Sequence, residues 1–495
     1  MHEHKKLAPH PPKKNYPQGE QRQDLPGVFV LKKLINPSRI AIIGASEQTG
    51  RIGTVIYRQL LNKKVRLFPV SDKESVVWGQ PTLPTTSALP VGIDLAIIAQ
   101  NAAKAVETAW KCAKRKIPYL IIVAGGFGEA GSRGQDLENE LKEIARTTPT
   151  RILGPNTLGI FVPVHLMDTL FVEHGDQALA GGGGVAVISQ SGSVGVEALG
   201  LASNTGFGMH AFIGLGNKCD LNELDFLEYF GNDPQTTCIA FYMENFDNGR
   251  RFLEMAGRIT HHKPILILKA GRSETGSRAV ASHTGNLAGS DRVVSGAFRQ
   301  FGIQRVFDDE ALCDAAKTLA GLPVPKGNRL AILTPAGGYG VMGADHVETD
   351  QPPAVLKMAE LSPHTIEELQ QRLLPFASSQ NPVDLTASAD NEMFADSLSL
   401  ILGDENVDIV IVIAFFAPPT ITDGLVQKLS DIINASQKPV IVFTQYGPFT
   451  NQYLLRFHQE GVVGFPSIWR AVRAARFLVE RASILNVRKD SECRS

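Results

Sequence analysis

Several short stretches of this sequence carry side chains suited to chemistry. The most unusual is "AVASHTGNLAGSDRVV", Ala279 to Val294, where His283 stands among small residues and glycines. A neutral imidazole is a good nucleophile, and its ordinary pKa lies near neutrality. A loop stripped of bulk has room for a phosphoryl group on a ring nitrogen. The plainer reading is a structural or solvated histidine. Ser290 and Asp291 follow as capping residues for a helix. Other histidines look less promising: His261 and His262 precede an apolar run and read as solvent-facing, while His2, His4 and His10 lie in a polar N-terminal stretch.

A carboxylate could orient such an imidazole. "FYMENFDNG" places Glu244 just after the apolar run Cys238 to Met243. Ligand sites of open α/β sheets lie beyond the carboxyl ends of strands. A surface carboxylate at a strand end is the competing reading. "ISQSGSVG", Ile188 to Gly195, is a strand-to-helix turn rich in hydroxyls and backbone N–H groups, with Ser189, Ser191, Gly192 and Ser193. Such a turn suits a small dense anion such as phosphate, or simply caps a helix. "IIGASEQTGRIG" is another, with Gly44, Gly50 and Gly53. Its spacing is wrong for the dinucleotide fingerprint G-x-G-x-x-G. The next apolar run ends in "FPVSDK", where Lys73 rather than a ribose-binding acid could meet a phosphate. Tight packing would also explain these glycines.

The elements needed to position these groups are legible as a pattern. Short β-branched runs alternate with helical stretches: "RIAIIGAS", "VRLFPVS", "DLAIIAQ", "YLIIVAGG"; "GVAVISQS", "TCIAFYMEN", "PILILKAG"; "RLAILTPAG", "DIVIVIAFFA", "PVIVFTQYG". Fully apolar strands between helices imply α/β domains with parallel sheets covered on both faces. The 495 residues exceed one core, so about three domains are expected. Breaks fall at Ala178–Gly184 and Gly321–Asn328, both rich in glycine or proline. The expected layout is a disordered tail over 1–26, domains over 27–178, 179–321 and 328–485, and a C-terminal tail over 486–495. "VAVISQSGSVGVEAL" resembles "LAILTPAGGYGVMGA", so the second and third domains read as copies of one flavodoxin-like unit.

Composition removes other classes. Forty-nine basic and 50 acidic side chains nearly cancel, giving no hint of nucleic acid or an anionic membrane. The five cysteines are scattered, so no metal site is indicated and a reducing cytoplasm is expected. The longest apolar run, Ile409 to Ala417, is too short to span a bilayer and reads as a buried strand. No apolar segment near the start reads as a signal peptide.

The quoted motifs, with "GRSETGSRAVASHTGNLAGSD", "GLGNKCDLNELDFLEYFGNDPQT", "GFGEAG", "GPNTLGI" and "NPVDLT", closely resemble the NDP-forming acyl-CoA synthetases, which include ADP-forming acetate–CoA ligases and are related to succinyl-CoA ligase. The resemblance runs from about Gly27 to Leu485. It implies a CoA-binding Rossmann-like domain followed by two flavodoxin-like ligase domains. It implies that His283 is a transient phosphohistidine and Glu244 its orienting carboxylate. Gly44, Ala45, Ser46, Val70 and Lys73, with Ala124, Gly125 and Gly126, would line the CoA site; Ser191, Gly192, Ser193 and Gly195 would cradle phosphate. The implied reaction is carboxylic acid + CoA + NTP to acyl-CoA + NDP + phosphate, through an acyl phosphate. No P-loop is present, and three strand groups leave no room for an ATP-grasp domain. ATP, ADP and Mg²⁺ are therefore expected on an ATP-grasp β subunit, in an α2β2 heterotetramer. Two departures stand out: "PVSDK" where the family usually shows "PVNPK", and Thr157 where "GPNCLG" has cysteine. The alternative reading is a non-catalytic CoA- or acyl-CoA-sensing regulator of the same fold.

Overall fold

The structure, a computed structural model, describes residues 31–492 apart from 62, 64, 173–180, 206–207, 285–289, 350–353 and 445–450. The expected N-terminal tail lies outside the described residues.

Each apolar run becomes a strand, and most are buried because helices cover both faces; Arg66–Val70, at a sheet edge, is buried only at its carboxyl end. The first sheet holds Arg66–Val70, Arg39–Ile43, Leu95–Ile98, Tyr119–Ile122 and Arg151–Leu153, in that spatial order and all parallel. Ile40 to Ile43 and Leu95 to Ile98 are almost wholly removed from solvent. The helix Ala102–Lys114 shows how the cover is built. Asn101 accepts from the Lys104 N–H at 3.1 Å and starts it, and Ala105, Val106, Ala109, Cys112 and Ala113 form its buried stripe.

The second sheet repeats the order. Met209–Gly214, Gly181–Ser189, Cys238–Met243, Ile265–Lys269 and Gln304–Val306 are parallel neighbours. The third does so again, with Lys357–Met358, Arg329–Thr334, Ile409–Ile413, Val440–Phe443 and Gly464–Phe465; Val383–Asp384 adds onto the carboxyl end of Arg329–Thr334. Numbered within each sheet by these core strands, the order is 2-1-3-4-5, the flavodoxin-like doubly wound order. The sequence-similar stretches "VAVISQSGSVGVEAL" and "LAILTPAGGYGVMGA" occupy the same place, strand one and the helix after it.

Two boundaries differ from the sequence reading. The hairpin Ile160–Val162 and Met167–Asp168 precedes residue 178 yet pairs antiparallel with Met209–Gly214, so the second sheet borrows from the first segment. Its apolar face needs a partner sheet, and the edge of the second one supplies it. The C-terminal helix Ile468–Glu492 runs through residue 486, where a tail was expected. That helix ties the last two domains together. Arg470 forms a bidentate pair with buried Asp314 at 2.9 and 2.7 Å, and Arg476, fully buried, donates to the Ala354, His346 and Val347 carbonyls. Nearby, the Lys317 ammonium donates to the Gly464 carbonyl and lies 3.4 Å from His458 Nε2; burial pulls Lys317 down to about 7 and His458 to about 3. Among the described residues, no helix is long and apolar enough to cross a membrane.

Candidate active site

In a 2-1-3-4-5 sheet the chain reverses direction beside strand one, which opens a crevice at the carboxyl ends of strands one and three. Both glycine- or serine-rich turns found in the sequence sit at such a crevice.

The first turn follows Arg39–Ile43. Gly44 has φ +93°, and a Cβ there would fall 2.5 Å from the Ala99 carbonyl oxygen just after strand three. Gly53 lets the next helix settle on the turn, because its Cβ would lie 2.1 Å from the Gly44 oxygen. Packing thus accounts for both glycines. The Gly44 and Ala45 N–H groups donate to the Val70 carbonyl at 3.0 and 3.3 Å. Ser46 is buried; its hydroxyl donates to one oxygen of Glu74, while the Glu47 N–H donates to the other at 3.0 Å. These bonds hold the Glu74 carboxyl below the usual range, the Ser46 hydroxyl contributing most. A carboxylate therefore already sits on donors that a phosphate would use, which makes the turn a fit for an anionic group. Lys73 is exposed just before it. Asp72, one of the departures from "PVNPK", pairs with Lys104 at 2.6 Å.

The turn Ala124–Gly126 follows Tyr119–Ile122, one strand further on. Gly125 and Gly126 are exposed, but the Gly126 N–H donates to Glu129 at 2.6 Å. Burial opposes the Glu129 charge; the Asn217 amide and the Gly126 and Phe127 N–H groups outweigh it and hold this carboxyl below its ordinary range. Asn217 belongs to the second domain. Its side chain donates to Glu129 at 2.6 Å and Glu138 at 3.0 Å, while its N–H, with those of Cys219 and Leu221, donates to Pro155, Gly154 and Ile152 carbonyls. "GNKCD" and "GPNTLG" are thus two strips zipped together across the domain boundary. Thr157 is part of that zip. Buried, it donates to the Gly214 carbonyl at 2.5 Å and accepts from the Gly159 N–H at 3.1 Å, so the second departure is a packed structural residue.

The serine turn follows Gly181–Ser189 and opens the helix Gly192–Thr205. The Ser189 hydroxyl is taken by the Ser191 carbonyl at 2.6 Å. Ser191 and Ser193 hydroxyls lie 3.1 Å apart, and Ser193 is exposed at the helix N-terminus, where an anion is favoured. Gly195 stands apart: it is buried, and a Cβ would fall 2.5 Å from Phe212 Cζ, so this glycine serves packing.

Glu244 caps strand three of the same sheet, on the other side of the crevice. It is buried at 6% exposure, with the Tyr242 hydroxyl 3.5 Å away. Its backbone is braced by groups the sequence did not single out. Gln190 accepts from the Glu244 and Asn245 N–H groups at 2.9 and 3.2 Å, and Lys269 donates to the Glu244 carbonyl at 2.7 Å. Lys218 donates to the Asn245 carbonyl at 3.2 Å and pairs with Glu223 at 2.9 Å. Burial lowers the Lys269 pKa, with Arg305 adding repulsion. A polar residue flanked by a buried strand and a serine-glycine turn was the available signal for Gln190.

The histidine stretch corrects the sequence reading. Glu274–Thr284 is a helix, with His283 as its penultimate residue, where a loop was expected. Ser273 starts it by accepting from the Gly276 N–H at 3.0 Å, and the Ala279–Ala281 run is helix-compatible. Small residues were read as loop; the segment "ETGSRAVASHT" has nothing that breaks a helix except one early glycine. The His283 side chain and residues 285–289 lie outside the described residues. The helix lies against Gly128–Ala130 of the first domain, beside the Gly125–Gly126 turn. Competing nucleophiles are absent among the described cysteines: Cys112, Cys219, Cys238 and Cys313 are buried, and burial pushes the Cys112 and Cys238 thiols up to about 12.

Residues 38–163 match the model of a CoA binding domain, and residues 182–319 that of a succinyl-CoA ligase like flavodoxin domain. The chain is 35% identical over 460 residues to the acetate–CoA ligase [ADP-forming] II subunit alpha of Pyrococcus furiosus, covering 92% of this chain and 98% of that one. It is 34% identical to the acetate–CoA ligase [ADP-forming] I of Archaeoglobus fulgidus, of which it spans 63%. Among solved structures it superposes on a dinucleotide forming acetyl-coenzyme A synthetase 1 of Ca. Korarchaeum cryptofilum, in complex with phosphate and ADP, with a TM-score of 0.85, 32% identity and coverage of 93% and 98%. Sheets, turns and near full-length similarity converge: the chain belongs to the ADP-forming acyl-CoA synthetases, acid–thiol ligases, and corresponds to the α subunits of that family.

Proposed function

We propose that the chain makes or cleaves acyl-CoA through a phosphohistidine at His283, in the reaction carboxylic acid + CoA + NTP to acyl-CoA + NDP + phosphate. The observation that carries this reading is the seat of the helix Glu274–Thr284. It follows strand four of the second domain's sheet, the sheet that carries Glu244 and the serine turn, and packs on the first domain's Gly128–Ala130 turn. On this reading His283 would serve both the CoA-type first domain and the anion-type serine turn of the second.

In the cleavage direction, phosphate attacks the acyl carbon and the CoA thiolate leaves. The His283 imidazole then bonds to phosphorus, the P–O bond to the acyl oxygen breaks, and the carboxylate departs. Splitting one hard transfer into two covalent half-steps is the physical benefit. Ser191, Gly192 and Ser193, at the positive end of the helix Gly192–Thr205, would hold the phosphate, with Gly195 as packing support. Glu244 would fix the imidazole tautomer. CoA would lie over Gly44, Ala45, Ser46, Val70, Lys73 and the Ala124–Gly126 turn, displacing Glu74 from its donors. ATP or ADP with Mg²⁺ would bind an ATP-grasp β subunit in an α2β2 heterotetramer in the cytoplasm; naming of relatives as alpha subunits supports a partner. Relatives named for acetate and 4-hydroxybutyrate support a small carboxylic acid.

The test is labelling of the chain with acetyl-CoA and radioactive phosphate, followed by acid-lability of the bound phosphate. Wild type should label stoichiometrically and His283→Ala should not label while melting at the same temperature. Equal labelling of both would sink the reading.

A further inference from the structure

The ladder between Gly181–Ser189 and Cys238–Met243 ends at the pair Ser189 and Tyr242, and the two chains then part into the crevice. Gln190 carries the pairing one step further. Its own N–H donates to the Tyr242 carbonyl at 3.0 Å. Its side-chain oxygen accepts from the Glu244 and Asn245 N–H groups at 2.9 and 3.2 Å, and its amide nitrogen donates to Asn245 Oδ1 at 2.9 Å. The side chain is 8% exposed and both lone pairs of its oxygen are used. Ser191 is the next residue in sequence. One amide therefore holds the serine turn and the Glu244 backbone in a fixed relation across the crevice, while Lys269 and Lys218 pin the carbonyls of Glu244 and Asn245 from the far side.

We infer that Gln190 is the positioning residue for Glu244: it sets the reach of that carboxylate relative to the serine turn, without itself touching substrate. This rests on the reading of Glu244 and His283 given above. A misplacement of a reacting group by an ångström commonly costs about a hundredfold in rate. Because the CoA-type turns lie in the first domain, the loss should fall on kcat and not on the KM for CoA.

The experiment is a double-mutant cycle on the complete enzyme with its partner chain, reading single-turnover phosphorylation from acetyl-CoA and phosphate, with kcat and KM for CoA alongside. Gln190→Leu should slow phosphorylation about 10- to 100-fold, and KM for CoA should stay within about twofold. Gln190→Met, which keeps the length of the side chain, stands in if the leucine variant fails to fold. Glu244→Gln should slow the step by about 100-fold, and Gln190→Leu should then add less than about threefold on that background. Fully multiplied losses would overturn the positioning role while leaving Glu244 in place. Glu244→Gln at wild-type rate would overturn the reading of Glu244 and this inference with it.

Discussion

The turn after Arg39–Ile43 and the turn after Gly181–Ser189 occupy the same point of the same strand order, yet they are built differently. The first is tight: Gly44 has positive φ, faces the Ala99 carbonyl, and its donors are spoken for by Val70 and Glu74. The second is looser at its mouth. A Cβ at Gly192 would meet Leu158 Cβ at an ordinary 3.8 Å, and exposed Ser193 lies beside Ser191 at the helix start. Topology provides a crevice in both places. What fills it is decided by local side chains: a self-supplied carboxylate in one case, paired serine hydroxyls in the other. A large ligand that brings several anchoring groups can displace an internal anion. A small phosphate bound in transit is better served by donors already open.

That contrast can be broken most severely at the glycines. Gly44→Ala should destabilise the first domain by about 2 kcal/mol or more, through left-handed strain and the carbonyl clash, and should abolish CoA binding. Gly192→Ala, whose methyl would make an ordinary contact with Leu158, should change the melting temperature little. Thermal melts of both variants with CoA titrations are the check, and equal melting temperatures would mean the first turn is as loose as the second. The next effect is chemical. Replacing Ser191 and Ser193 together by alanine should lower phosphate labelling about tenfold, the worth of a charge-assisted hydrogen bond or so, with no loss of stability. Labelling unchanged from wild type would remove the hydroxyls from the site. The smallest effect is expected at Glu74. Glu74→Gln removes a half-buried charge where a phosphate would approach, so CoA should bind about two- to threefold more tightly. Weaker binding in calorimetry would instead make Glu74 a ligand of CoA or a brace for the empty turn.

How far the sequence carried these sites differs from residue to residue. Gly44, the serines and Glu244 were visible because each directly follows an apolar run, and a strand's carboxyl end is where such sheets bind. The strand groups and their parallel pairing followed from uninterrupted β-branched runs. His283 was visible by chemistry and misread by conformation. Small residues look like a loop, but alanines and a serine cap also suit a helix, and which wins depends on what packs against them. Gln190 lies within the serine motif but gives no signal there, because a glutamine beside a strand has no chemistry of its own until its partners are known.

The sequence by itself determined the class of fold, the three doubly wound sheets and the places where each turns, and it named a histidine and a carboxylate to test. These follow from periodicity and side-chain chemistry, which are local. Only the tertiary structure decided that the hairpin Ile160–Asp168 crosses into the second sheet, that "GNKCD" zips onto "GPNTLG", that Glu74 lies on the first turn's donors, and that Gln190 spans to Glu244. Each of these joins residues far apart in the chain through a hydrogen bond about 3 Å long. No pattern of neighbours along the sequence can specify a distance that depends on how three sheets are packed.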